Sequence, residues 1–294
     1  MQAIEQELLI TLYGLDNLRR TLPPHEWKSF CETQTTNHPL HKLLLNDPYT
    51  RRAFEKPRGY AGDAVLLDYL YGYHHPPDSK TNPIGEKVFY FTTQSDPGKA
   101  IRYRRKFTAQ CIDDMAIEAS SPISVLSIAA GHVREAHLSS AMQSQRIKQF
   151  VAFDQDQESL DLVKNQYAHL DIVPVQGTIN DLITNRYPFG KFDFIYAAGL
   201  FESLIRHEAM RLIRWMFNAL NAQGHLLVSN FREDVPNTLY RTYMEAFMHW
   251  FLVYRTDEEI IDLFGSLNPD QIEDFTLSTD PLCNIAFVLL KKHR

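Results

Sequence analysis

Residues 123–135 read ISVLSIAAGHVRE, and residues 150–154 read FVAFD. The first run is apolar and β-branched and ends in the small residues Ala129, Ala130 and Gly131, after which a polar, helix-like segment follows. About twenty residues beyond that turn, the second apolar run ends in an acid, Asp154. This is the layout of a nucleotide-binding βαβ unit, in which the loop backbone approaches the ligand and the acid holds the ribose hydroxyls. The glycines are depleted. A dinucleotide fingerprint would place glycine where Ala129 and Val133 stand, so the pattern argues against a pyrophosphate and for a ligand with a ribose but no phosphate.

Downstream, strand-like runs recur as DIVPVQ, KFDFIYAA and GHLLVSNF, separated by helical patterns over residues 157–169 and 207–220, with Gly224 expected to close the second of these helices. Five strands with intervening helices imply a parallel sheet covered on both faces. Near the C-terminus QIEDFTLST and CNIAFVLLKK flank the turn-forming Asp280, Pro281 and Leu282, which reads as a hairpin that adds an antiparallel strand. The expected fold is therefore α/β, a seven-stranded Rossmann-like sheet, parallel with a terminal antiparallel hairpin. That ending resembles the class I fold of methyltransferases that use S-adenosylmethionine (SAM). Residues 1–120 carry little β signal and read as a helical N-terminal cap or lid, with 121–294 as the SAM-binding domain and a helical insertion at about 232–268. In the cap Ile4, Leu8, Leu12, Leu15 and Leu18 form an apolar stripe, and residues 38–45, 65–71, 84–90 and 103–115 are helix candidates. Residues 73–83 read as a loop.

The 294 residues are 44% hydrophobic and 22% charged, which excludes a mostly disordered chain. A net charge of −6 gives no overall basic field for nucleic acid, so none is expected as a partner. The three cysteines, Cys31, Cys111 and Cys283, have no metal-like spacing, and no metal is expected. The N-terminus lacks a basic region before a continuous apolar core, and no apolar run approaches the ~20 residues of a membrane span. The expectation is a cytoplasmic protein whose helical N-terminal region caps its own catalytic domain or pairs with a second copy.

Asp154 is the strongest single candidate, since a carboxylate can accept hydrogen bonds from both ribose hydroxyls; Asp156 reads as the cap of the helix that follows. Gln155 adjoins it. Ala129 and Gly131 would let the loop come close to the methionine end of SAM, and Glu135 could hold its ammonium group. Thr178 and Ile179, after Gly177 at the end of the third strand, would line the adenine. Ala198, Gly199 and Phe201, within YAAGLFESL after the fourth strand, would lie against the cofactor, with core packing the competing reading for Phe201. For the acceptor, Glu202 follows on the same turn. Arg58 and Tyr60, in KPRGYAGD, supply a cation and a phenol, and Asp63 is a natural helix cap. HWFLVYRT at residues 249–256 adds Tyr254 and Arg255, in what reads as a helix burying Trp250 and Phe251. Thr256 with Glu259 forms a capping box before the next apolar run.

Taken together, PRGYAGD, LSIAAG with Arg134 and Glu135, IYAAGLFESL, SNF at 229–231 and HWFLVYRT resemble the bacterial family that includes 3-hydroxypalmitic acid methyl ester synthases. The similarity covers most of residues 50–290. It implies SAM as cofactor and a small-molecule carboxylate as methyl acceptor. The family pattern has Cys-Gly where this chain has Ala130 and Gly131, and proline where it has His132; its acid-aromatic pair stands here as Glu202 and Ser203. These departures bear on the substrate more than on the cofactor. A carboxylate acceptor is already nucleophilic and needs a positioning cation rather than a base, whereas an alcohol or amine would need a proton sink, with Glu202, His132 and His249 as candidates. A non-catalytic SAM-binding regulator is the competing class of function.

Overall fold

The computed structural model describes residues 2–74 and 81–294, with side chains from residue 6 onward. The chain forms two compact units, Met1–Arg102 with Val235–Phe251, and Tyr103–Asp234 with Leu252–Arg294.

The first unit is helical: α1 (Gln2–Thr21), α2 (Pro24–Phe30), α3 (Pro39–Leu44), α4 (Pro48–Glu55), α5 (Ala64–Tyr71), α6 (Pro83–Thr93), the first turns of α7 (Asp96–Glu118), and the late helix α12 (Leu239–Met248). Four of these helices, α2, α3, α4 and α6, begin with proline, whose missing N–H falls where a helix has no partner for it. In the stripe of α1, Leu8 and Leu12 are buried, Leu15 and Leu18 half-buried, and the Ile4 side chain lies outside the described residues. The stripe also carries a buried acid. Asp16 accepts hydrogen bonds from Arg19, Arg20, Thr238 and Thr242, which fixes α1 against α12. Trp27 Nε1 donates to Glu245 Oε2 at 2.7 Å and ties α2 to the same helix.

Of the expected loop at 73–83, residues 75–80 lie outside the described residues. Pro83 corrects that reading: it opens α6, with Asn82 accepting from the Ile84 and Gly85 amides. A second correction concerns HWFLVYRT. It is not a helix, because α12 stops at Met248 with His249 in the left-handed region (φ 49°), and Trp250 N turns back to Met244 O. Beyond it Arg255 pairs with Arg232 as an isolated parallel bridge.

The second unit holds one sheet of seven strands in the order β3-β2-β1-β4-β5-β7-β6. These are β1 (Ile123–Ile128), β2 (Ile147–Asp154), β3 (Ile172–Gln176), β4 (Phe192–Ala197), β5 (Leu220–Phe231), β6 (Ile272–Thr279) and β7 (Ile285–Lys292). The first five run parallel, and β7 lies antiparallel between β5 and β6. All six residues of β1 are buried, as a strand covered on both faces requires. The helices of this unit are the rest of α7, α8 (Ser140–Gln143), α9 (Gln157–Gln166), α10 (Ile179–Ile183), α11 (Arg206–Asn218) and α13 (Asp257–Asp262). The expected caps are present: Asp63 on α5, Asp156 on α9, and the Thr256–Glu259 box on α13. Gly224 is a third correction. It does not cap α11, which ends at Asn218, but lies in β5, where a Cβ would come within 3.1 Å of Phe192 O. The polar segment after β1 is also less helical than its pattern predicts, a 3-10 turn at Arg134–His137 and then the single turn of α8. Among the described residues no helix is long and apolar enough to cross a membrane.

Candidate functional site

Strand order reverses at β1, which lies between β2 and β4. Open α/β sheets bind ligands outside the carboxyl ends of their strands at such a switch point. Ala129 and Gly131 follow β1 there, Asp154 ends β2, Gly177 follows β3, and Ala198 and Gly199 follow β4.

Asp154 binds these loops together. Its Oδ2 accepts from Gly131 N at 2.8 Å, its Oδ1 from Asp156 N at 2.8 Å, and its backbone oxygen from Gly177 N at 2.9 Å. Ala130 N donates to Phe153 O at 3.1 Å. A carboxylate offers roughly four acceptor positions. Two are used by backbone amides, so the group has capacity for two more donors. Burial raises its pKa, and the neighbouring backbone amides, those of Asp156 and Gly131 foremost, only partly offset this. A donor from a ligand would stabilise the charged form.

The loop itself is strained. Ala129, Gly131 and Val133 have φ of 53°, 52° and 49°. Only glycine enters this region without cost, and a β-branched residue there is an outlier. Val133 is 1% exposed and Ala129 half-buried, so glycine is kept at one of the three left-handed positions.

Glu135, half-buried on the 3-10 turn, accepts a short hydrogen bond from the Tyr196 hydroxyl on β4. Burial raises its pKa, opposed by that bond and by the charges of Arg105 and Arg104. Gln155 is exposed. Thr178 and Asp181 form a reciprocal capping box on α10, and Ile179 is half-buried against the core. Gly177 has no room for a side chain, since a Cβ would overlap Phe153 Cζ at 2.6 Å. Ala198 is half-buried. Gly199 (φ 101°) lies on the Arg104 guanidinium, whose Nη2 is 2.8 Å from where a Cβ would stand. Phe201 is 1% exposed and packs in the hydrophobic core.

Glu202 is buried. Its Oε1 accepts from Arg104 Nη1 at 3.1 Å, and its Oε2 has no hydrogen-bond partner among the described residues. Arg255 donates to Phe201 O at 2.8 Å, Leu204 O at 2.5 Å and Asn230 Oδ1 at 2.5 Å, so its guanidinium braces the turn that carries Glu202. Val253 N donates to Glu202 O at 2.7 Å. Tyr254 is half-buried, its ring 6.1 Å from that of Phe231.

Arg58 and Tyr60 belong to the first unit and are half-buried. Their segment is a tight turn, with Gly59 and Gly62 at φ of 85° and 75°. A Cβ on Gly62 would strike the Trp250 ring, and Lys56 Nζ donates to His249 O at 3.0 Å. Arg52 holds Asp63 through two bonds of 2.7 and 2.8 Å. Thus KPRGYAGD meets the first residues of HWFLVYRT.

Arg104 falls in no sequence motif, since residues 103–115 read only as a helix candidate. It shares a helical face with the buried Ala100, Ile101, Thr108 and Ile112, and that phase is the signal that marks it as buried.

No family model matches the chain, and no curated protein sequence matches it. Among solved structures, a possible exported protein from Bordetella parapertussis aligns with a TM-score of 0.64 at 14% identity, over 100% of this chain and 98% of its own. The apo form of the SAM-dependent methyltransferase SibL aligns with a TM-score of 0.51 at 15% identity, over 84% of this chain and 70% of its own. At these identities the likeness is one of fold: a Rossmann-like sheet with a terminal antiparallel hairpin.

Proposed function

We propose that this chain is a SAM-dependent methyltransferase of a small molecule. The observation that carries the proposal is Asp154, a buried carboxylate at the switch point that is bonded to the β1 loop and still has acceptor capacity for a ribose diol. Pyrophosphate binding fits the site poorly, because it draws on the N-terminal dipole of a helix. Here the loop leads into a 3-10 turn and a helix of four residues. SibL, whose fold is similar, is itself a SAM-dependent methyltransferase.

In this reading Asp154 and Gln155 hold the ribose, and Thr178 and Ile179 flank the adenine. Ala129 and Gly131 approach the methionine end, where Glu135 takes the ammonium. Ala198 and Gly199 would lie against the cofactor, with Phe201 behind them. When bound, SAM supplies an electrophilic methyl group on a sulfonium. The task of the chain is then to hold the acceptor in line with the S–CH₃ bond; orientation of this kind contributes up to ~7–11 kcal/mol.

For the acceptor we propose a carboxylate, with Arg58 and Tyr60 as the positioning cation and phenol and Tyr254 as a further candidate. Glu202 favours a second reading, in which a hydroxyl or amine donates to its unpartnered Oε2. Calorimetry with S-adenosylhomocysteine tests the cofactor: Asp154→Ala should weaken binding ten-fold or more, and unchanged affinity refutes the ribose assignment. Mass spectrometry of products from a panel of acids, alcohols and amines tests the acceptor. Arg58→Ala should reduce turnover of a carboxylate while leaving cofactor affinity intact. Tight cofactor binding with no product anywhere in the panel would instead favour a regulatory protein.

A further inference from the structure

In the second unit, away from the switch point, a cleft of about 470 Å³ opens between α11 and residues 184–191, near the amino ends of β4 and β5. Small-ligand sites typically measure ~300–1,000 Å³. Its walls carry three cations, Lys191, Arg211 and Arg214, and three aromatic rings, Tyr187, Phe189 and Trp215, and no acid. In a chain with 36 acids against 30 lysines and arginines, that is a local reversal of charge. Arg211 and Arg214 are exposed on α11, and neither has an ion-pair or hydrogen-bond partner among the described residues. Lys191 differs, since its ammonium bonds Asn218 O at the end of α11.

The aromatic wall is held in place. Tyr187 and Phe189 stack with centroids 5.4 Å apart and planes at 14°, and Phe189 abuts Phe192 edge-on. Trp215 is half-buried, its Nε1 donating to Asn185 Oδ1 at 3.1 Å. A second cleft of about 340 Å³ shares Lys191 and adds Lys292, His293 and Arg294 against one acid, Asp270. Half-buried rings beside guanidinium groups form a stacking platform with an electrostatic clamp. Arginine matches phosphate oxygens with two parallel donors. An acidic peptide would use the cations and leave the rings in water, whereas a nucleotide uses both. β4 has six residues at ~3.3 Å rise, which separates this cleft from the loop at Gly199 by roughly 20 Å.

We propose that this cleft binds a nucleoside diphosphate, its base against the Trp215 and Tyr187 side and its phosphates on Arg211, Arg214 and Lys191. The site is separate from the one assigned to SAM and does not depend on that assignment. The test is calorimetry of guanosine 5′-diphosphate with the full chain, alongside guanosine and inorganic pyrophosphate. Guanosine 5′-diphosphate should bind in the micromolar range, and each half of it at least ten-fold more weakly. Arg211→Glu with Arg214→Glu should weaken it ten-fold or more, and both positions are exposed, so the thermal melt should be unchanged. Asp154→Ala should leave it unaltered. The ligand should also quench tryptophan fluorescence, and Trp215→Phe should abolish the quench while leaving affinity within a few-fold. No binding up to millimolar concentration, equal binding by the charge-reversed variant, or loss in Asp154→Ala would each overturn the proposal. Pyrophosphate binding as tightly as the nucleotide would reduce the cleft to a simple anion patch and overturn it as well.

Discussion

Replacing Ala129 and Val133 separately by glycine should move stability in opposite directions, although the two residues share one backbone conformation. Each has φ near 50°. A non-glycine residue in that region costs ~1–2 kcal/mol relative to a right-handed conformation, which glycine would recover. Against this, glycine gives the unfolded chain more freedom, a loss of ~0.4–1 kcal/mol. For Ala129, half-buried and with a single methyl to lose, the sum favours the variant by about 0.5–1 kcal/mol. Val133 is 1% exposed, and deleting its side chain removes ~1.5–3 kcal/mol of burial and leaves a cavity. Ala129→Gly should therefore be stabilised and Val133→Gly destabilised by about 2 kcal/mol, a gap of about 3 kcal/mol between them. Urea unfolding of the full chain, followed by circular dichroism and by fluorescence, measures both. If both variants gain stability, the Val133 side chain contributes nothing; if both lose it, the left-handed backbone carries no cost. Either result refutes the reasoning.

Two further perturbations address buried charge. Arg104→Met leaves the Glu202 carboxylate buried without its cation and should cost about 3–5 kcal/mol, while adding Glu202→Leu should restore part of that; strictly additive losses in the same urea measurement would mean the pair is not coupled. Burial raises the Asp47 carboxyl to about 6 from 3.8, so the folded state holds its proton more tightly than the unfolded chain. The sign follows: the contribution of Asp47 to stability is fully present below pH 3.8 and is lost as pH rises through about 6, by about 3 kcal/mol in all. Asp47→Asn should flatten that part of the pH profile, and an unchanged slope would show that another group is responsible.

The sheet was legible in the sequence because its signals are local. β-branched runs mark the buried strands, and Asp280, Pro281 and Leu282 mark the hairpin turn. The caps at Asp63, Asp156 and Thr256 were legible for the same reason, each being a side chain that satisfies amides two or three residues away. What escaped was decided at a distance. The helical phase of Arg104 in RYRRKF marks it as inward-facing, but its partner Glu202 lies 98 residues later and no local pattern names it. Gly224 has the look of a helix cap, yet it is glycine because strand backbones crowd it. The end of α12 carries no stop signal, since His249 takes a left-handed conformation that glycine usually supplies. Of the site, Asp154 could be read from its place after an apolar run; its bond to Gly131 N could not, because that depends on the loop's backbone angles.

Those angles also bear on what the loop can bind. Glycine in a nucleotide-binding turn does two separable things: it adopts positive φ, and it lets a ligand approach the backbone. At Ala129 and Val133 the positive φ persists without glycine, so the shape of the turn is kept at a cost of ~1–2 kcal/mol each. What is lost there is close approach. Val133 turns its side chain into the core, and Ala129 keeps a methyl at the end of β1, so open backbone remains at Gly131, whose amide already donates to Asp154. A pyrophosphate needs several free amides and a helix dipole behind them. A ligand that touches the loop at one point and offers hydroxyls to Asp154 needs neither, and glycine at the two outer positions would gain it little. Strained, non-glycine residues in a nucleotide-binding turn are therefore what a ribose-bearing, phosphate-free ligand permits, and the Ala129→Gly variant should bind S-adenosylhomocysteine no more than two- to three-fold more tightly than the wild-type chain.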